Sequence, residues 1–152
     1  MKTLIKSILI PLFVGILASL ITGGGMEAFA GLEKPPLAPP GWLFPVVWTI
    51  LYILMGIASY FIVSSDAEKE QKDSAISAYT LQLIANFLWP VFFFGFEWYL
   101  FSAIWLILLL VLIGVTIVRF YEISPKAAYL LLPYLLWVTF AGYLNIAIWW
   151  LN

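Results

Sequence analysis

Five long apolar runs divide this chain, and nearly all of its charged residues fall in the gaps between them. The runs cover about 4–22, 42–63, 75–96, 99–118 and 127–150. They are continuous rather than alternating, and each has about the 20 residues that a helix needs to cross a bilayer. Lipid offers backbone groups no hydrogen bonds, so a spanning segment must be a helix or part of a closed barrel. A charge at the bilayer centre costs about 2.5–3.5 kcal/mol on insertion scales, which explains where the charges fall. The pattern predicts an all-α integral membrane protein, a bundle of five transmembrane helices forming one domain over residues 1–152.

The connections differ in character. Residues 23–41 form the longest, opening on Gly23-Gly24-Gly25 and closing on Pro35-Pro36-Leu37-Ala38-Pro39-Pro40, a stiff, extended stretch poor in N–H groups. This connector is expected to hold the loop close to the mouth of the bundle. A polar stretch, 64–74, separates the second and third runs. Glu97 sits in a very short turn, and Ser124-Pro125 reads as a helix start before the fifth run. Pro90 and Pro133 fall inside runs and are expected to kink them. Gly15, Ser19 and Gly23 form a small-xxx-small ridge suited to helix packing within the monomer.

Of the basic residues, Lys2, Lys6, Lys69, Lys72, Arg119 and Lys126 share one end of the predicted bundle, and Lys34 alone lies at the other. The positive-inside rule then places the N-terminus in the cytoplasm and the C-terminus outside. Lys2, Lys6, an apolar core and Ala28-Phe29-Ala30 also resemble a cleavable signal peptide. Cleavage would leave an even number of spans, so the first run is read as retained. A bacterial plasma membrane suits so compact a chain.

Composition narrows the chemistry. Net charge is near zero with no basic stripe, which disfavours nucleic acid as a partner. The chain has no Cys and no His, removing thiolate chemistry and the commonest general base, metal ligand and haem ligand. No cofactor or metal is expected. No Asp, Glu, Lys or Arg lies near the middle of a run, which argues against an ion-coupled carrier. Eight Trp, eight Tyr and twelve Phe remain, more than membrane interfaces alone require. On helical spacing, Gln82, Asn86 and Trp89 share a face, as do Trp48 and Tyr52, and Trp137, Ala141 and Asn145. The amides either bond helix to helix or line a polar notch in an aromatic cavity, and spacing leaves both open.

Three segments carry a resemblance. The first is Leu32-Glu33-Lys34-Pro35-Pro36, then Pro39-Pro40-Gly41-Trp42, then Pro45-Val46-Val47-Trp48-Thr49-Ile50-Leu51-Tyr52. The second is Gln82-Leu83, Asn86-Phe87-Leu88-Trp89-Pro90 and Phe93-Phe94-Gly95. The third is Pro133-Tyr134-Leu135-Leu136-Trp137, Phe140-Ala141 and Leu144-Asn145. In order and spacing they resemble the translocator protein family, also called tryptophan-rich sensory proteins or peripheral-type benzodiazepine receptors. The resemblance implies a five-helix bundle, often a homodimer in the membrane lipid. It implies a pocket opening toward the long first loop that binds porphyrins such as protoporphyrin IX and other flat hydrophobic ligands. Trp48, Asn86 and Trp137 match the family's pocket residues, with Tyr52, Trp89, Ala141 and Asn145 expected nearby. Some bacterial members degrade protoporphyrin in light, which would make Trp48 and Trp137 oxidisable partners. That gives a light- and oxygen-dependent enzymatic alternative to a receptor, sensor or carrier, and a structural subunit without a small ligand is a third. The chain departs from the family at Ala28 and Phe29, where many bacterial members carry a Trp-Tyr pair, and at Leu37, where many carry Trp. Tyr143 has no basic residue after it, so the sterol-recognition pattern is absent and cholesterol is disfavoured.

Overall fold

The computed structural model describes residues 1–22 and 29–152. Helix α1 is Lys2–Thr22, α2 is Leu43–Val63, α3 is Lys69–Pro90, α4 is Tyr99–Ile123, α5 is Pro125–Leu130 and α6 is Leu132–Leu151. A π-helical turn, Val91–Gly95, prolongs α3, and α5 and α6 together form the fifth span. Among the described residues, five helical segments are therefore long and apolar enough to cross a membrane, as the apolar runs predict. Gly23-Gly24-Gly25, Ala28 and the last member of the Gly15–Ser19–Gly23 ridge lie outside the described residues.

The helices extend beyond the apolar runs at their charged ends. Helix α3 starts at Lys69 rather than near Ala75, so only residues 64–68 of the polar stretch lie outside helices. Helix α4 continues past Val118 to Ile123. Backbone bonding does not stop where hydrocarbon stops, and long cations reach to backbone carbonyls at the polar ends of the bundle. Arg119 Nη1 donates to Ser74 O at 2.9 Å, and Lys72 Nζ donates to Val63 O at 3.1 Å. Ser124 caps α5 by accepting from Ala127 N–H at 3.4 Å, with Pro125 following in the first turn.

Pro90 and Pro133 act as breaks, whereas α1 runs unbroken through Pro11. Pro90 closes α3 and hands the chain to the π turn, where Phe96 N–H bonds Val91 O at 3.0 Å. Pro133 has no N–H to give to the preceding turn, and regular α-helix lapses at Leu131, before α6 begins. Glu97 takes the left-handed conformation, φ 57°, which turns the chain sharply from the π turn into α4.

Helix α1 packs on α2, α3 on α4, α4 on α6 and α2 on α5. Met55, Ala58, Ile62, Ala75, Ile113, Phe120 and Val138 fill the middle. Alanine at 58, 75, 78, 127 and 128 lets the backbones approach closely where lipid supplies no hydrophobic drive for association. Helix α1 is the outermost member: 11% of its membrane window is buried, against 33% to 39% for the other spans. The described part of the first loop, residues 29–41, is tied to the bundle. Asn152 Nδ2 donates to Glu33 O at 3.1 Å, and Glu33 N–H donates back to Asn152 Oδ1 at 3.3 Å. Tyr143 Oη donates to Pro36 O at 2.8 Å. Phe29, buried, packs against Phe44, Phe93 and Phe94 at ring-centroid distances of 5.4, 6.4 and 6.2 Å.

Candidate functional site

A cavity of about 360 Å³ lies between α1, α2, α3 and α6, beneath the Phe29 cluster. Small-molecule sites run from roughly 300 to 1,000 Å³, so it is large enough to matter. Helix α2 contributes Phe44, Pro45, Trp48, Thr49 and Tyr52. Helix α3 contributes Asn86, Trp89 and Pro90, the π turn Phe94, and α6 Trp137 and Ala141. Helix α1 supplies the remaining wall with Leu12, Gly15, Ile16, Ala18, Ser19 and Thr22. Trp48, Tyr52, Asn86, Trp89, Trp137 and Ala141 therefore meet around one space, though three helices carry them.

Asn145 does not line it. Its Oδ1 accepts from Trp89 Nε1 at 3.0 Å, and its Nδ2 donates to Tyr99 O at 2.8 Å. Asn145 is a buried brace between α6, α3 and the start of α4, and it fixes how the Trp89 ring faces the cavity. Asn145→Ala should leave the Trp89 N–H and the Tyr99 carbonyl short of partners. The expected cost is about 1–2 kcal/mol, read as a lower thermal midpoint in detergent.

The polar floor is a side-chain relay. Tyr52 Oη donates to Asn86 Oδ1 at 2.7 Å, Asn86 Nδ2 donates to Tyr134 Oη at 2.9 Å, and Tyr134 Oη donates to Gln82 Oε1 at 2.6 Å. Gln82 is 1% exposed and serves only this relay and the Met55 sulfur beside it. The two readings of the amides thus divide between residues. Gln82 and Asn145 bond helix to helix, while Asn86 does so and also faces the cavity. An amide carries two donors and about two acceptor positions, so Asn86 keeps one of each.

Trp137 differs from all of these. Its ring packs edge-on to Phe44 at 5.8 Å and against Phe140 at 5.6 Å. Its Nε1–H is buried and, with Tyr79 Oη, is one of two buried side-chain polar atoms among the described residues without a hydrogen-bond partner. An unpartnered donor costs about 1–3 kcal/mol, so such atoms call for an explanation. Trp137 lines the cavity with its N–H tucked away from the open space, so a tilt of the ring would present this donor to an incoming acceptor. No cluster of three or more Asp, Glu, His or Cys is present among the described residues, so no metal site is assembled there.

The α1 wall and the Tyr134 link were not legible as site features. Leu12, Gly15, Ser19 and Thr22 follow helical spacing, and the Gly15–Ser19 ridge was the one available sign. Tyr134 stood in a recognised motif, but nothing in its spacing tied it to Asn86.

Comparison with known proteins settles the family. Residues 7–151 match TspO/MBR. The chain belongs to the TspO/MBR family. A tryptophan-rich protein TspO of Archaeoglobus fulgidus is 41% identical over 150 residues, 98% of this chain and 96% of its own. A translocator protein of Sus scrofa is 38% identical over 147 residues, covering 93% and 85%. A tryptophan-rich sensory protein of Cereibacter sphaeroides is 34% identical over 119 residues, covering 78% and 73%. Membership together with five apolar spanning helices makes this TspO/MBR protein an integral membrane protein.

Proposed function

We propose that this protein is a membrane receptor, sensor or carrier for porphyrins and related flat, apolar molecules, bound in the aromatic cavity. The observation that carries this reading is an aromatic cavity lined by Trp137, whose buried Nε1–H has no hydrogen-bond partner. Trp48, Trp89, Phe44 and Phe94 offer ring faces, and burying a flat macrocycle gains about 25 cal/mol per Å² of apolar surface. A ligand bearing a carbonyl or carboxylate at its edge satisfies Trp137, and Asn86 adds a second, weaker polar contact. The chain has no His, so a free-base porphyrin is expected to bind as well as its iron complex. The basic end of the bundle is placed in the cytoplasm of a bacterial cell, which puts the first loop outside.

One observation favours a second reading, oxidative breakdown of the bound porphyrin in light with molecular oxygen as the oxidant. The Trp48 ring lies 5.6 Å from that of Tyr52, beside it in the cavity wall, and 6.3 Å from that of buried Tyr134 behind them, so three oxidisable rings adjoin. The test for both is a protoporphyrin IX titration in the dark, followed by Trp fluorescence and repeated under light. Saturable quenching is expected. Quenching that rises without limit, as for partition into the micelle, would reject a binding site. Loss of porphyrin absorbance in light that needs Trp48 would favour the second reading.

A further inference from the structure

We propose that the cavity is loaded sideways from the bilayer, through a gap between the loop-side halves of α1 and α2. Its ligands would then be molecules dissolved in the membrane rather than in water. This rests on the ligand-binding reading above.

Four lining residues, Ile16 and Ser19 of α1 and Pro45 and Thr49 of α2, are exposed, Ile16 at 58%, as expected where the cavity opens between the two helices. A residue that both lines the cavity and is exposed marks where the cavity reaches the surface. At membrane depth that surface is lipid. The helix forming one side of the gap is held unevenly. Near its Lys-bearing end, α1 lies so close to Gly56 that a Cβ there would collide with Ile8 Cα and Ser7 O. Toward the loop, no side-chain hydrogen bond joins α1 to another helix among the described residues, and the Thr22 hydroxyl bonds within its own helix.

The opposite route is better closed. Reaching the cavity past the described part of the loop, residues 29–41, breaks the two Glu33–Asn152 bonds and the Tyr143–Pro36 bond, and it unseats buried Phe29. Parting α1 from α2 exchanges apolar contact with protein for apolar contact with lipid and breaks no such bond.

The natural absence of Cys allows a direct test that needs no ligand. Ala141 lines the cavity and is 7% exposed, so Ala141→Cys places one thiol inside. In lipid nanodiscs it is treated with an uncharged alkyl maleimide that dissolves in the bilayer, or with a sulfonated maleimide confined to water. Two backgrounds are compared with it: Ser19→Phe with Thr49→Phe, which fills the gap, and Tyr143→Phe with Asn152→Ala, which frees the loop. The alkyl reagent should label the thiol, filling the gap should slow it about tenfold, and freeing the loop should leave it within about twofold. Should the filled pair misfold, Ser19→Phe alone is expected to slow labelling in the same direction. Faster labelling by the sulfonated reagent, acceleration on freeing the loop, or no effect of filling the gap would each overturn lateral loading. Failure of porphyrin to bind with lateral labelling intact would instead reject only the binding reading.

Discussion

Trp137→Phe is expected to weaken porphyrin binding by about tenfold to a hundredfold, while Trp48→Phe costs less and the unliganded protein loses little stability. The change keeps an aromatic ring against Phe44 and Phe140 and removes the indole N–H. In the empty protein that donor has no partner, so nothing is broken when it goes. In the complex it meets an acceptor away from water, and a bond of this kind contributes about 1–3 kcal/mol, with each 1.4 kcal/mol equal to tenfold in Kd. Trp48 contributes ring area, and its replacement by Phe gives up only part of that. Asn86→Ala should behave differently again, lowering the thermal midpoint because it parts Tyr52 from Tyr134. The measurements are titrations and melting curves on the three variants side by side. Equal affinity in wild type and Trp137→Phe would remove the indole N–H as the anchor. A ligand of similar area without an edge acceptor should bind both proteins alike.

Those variants also mark where sequence stops being informative. The spans are legible because a charge inside hydrocarbon is expensive, so apolar length alone outlines five helices. Their ends are not, because a helix outlasts the apolar stretch. Lys69 to Ser74 remain helical, and Arg119 sits within α4 with its guanidinium on Ser74 O. Spacing correctly put Asn86 and Trp89 on one face of α3. It could not say which polar groups are engaged, because that depends on partners far along the chain. Trp89 loses its free N–H to Asn145, Asn86 is bound by Tyr52 and Tyr134, and Trp137 keeps a buried donor without a partner. Helix α1 was harder still. Apolar on nearly every side, it has no polar face to announce which residues turn inward, so its share of the cavity wall appears only once α2 is beside it.

The glycines of that contact should separate stability from binding. Gly56→Ala is expected to lower stability by about 1–3 kcal/mol, and Gly56→Leu to cost more and dislodge α1, because the new Cβ meets the Ser7–Ile8 backbone, which cannot swing aside. Gly15→Ala meets something softer, the ring of Tyr52. A ring can tilt, at the price of its 2.7 Å bond to Asn86 and of space in the cavity that Gly15 and Tyr52 both line. Its melting point should therefore fall less than that of Gly56→Ala, while porphyrin affinity falls more. Combining Gly15→Ala with Tyr52→Phe checks the route. With no hydroxyl left to lose, the further cost of the alanine should shrink, since contacting residues couple and independent ones add. Full additivity would mean that position 15 acts through cavity volume alone. Loss of affinity in Gly56→Ala as large as in Gly15→Ala would mean that the whole seat of α1, rather than the wall at Tyr52, governs the site.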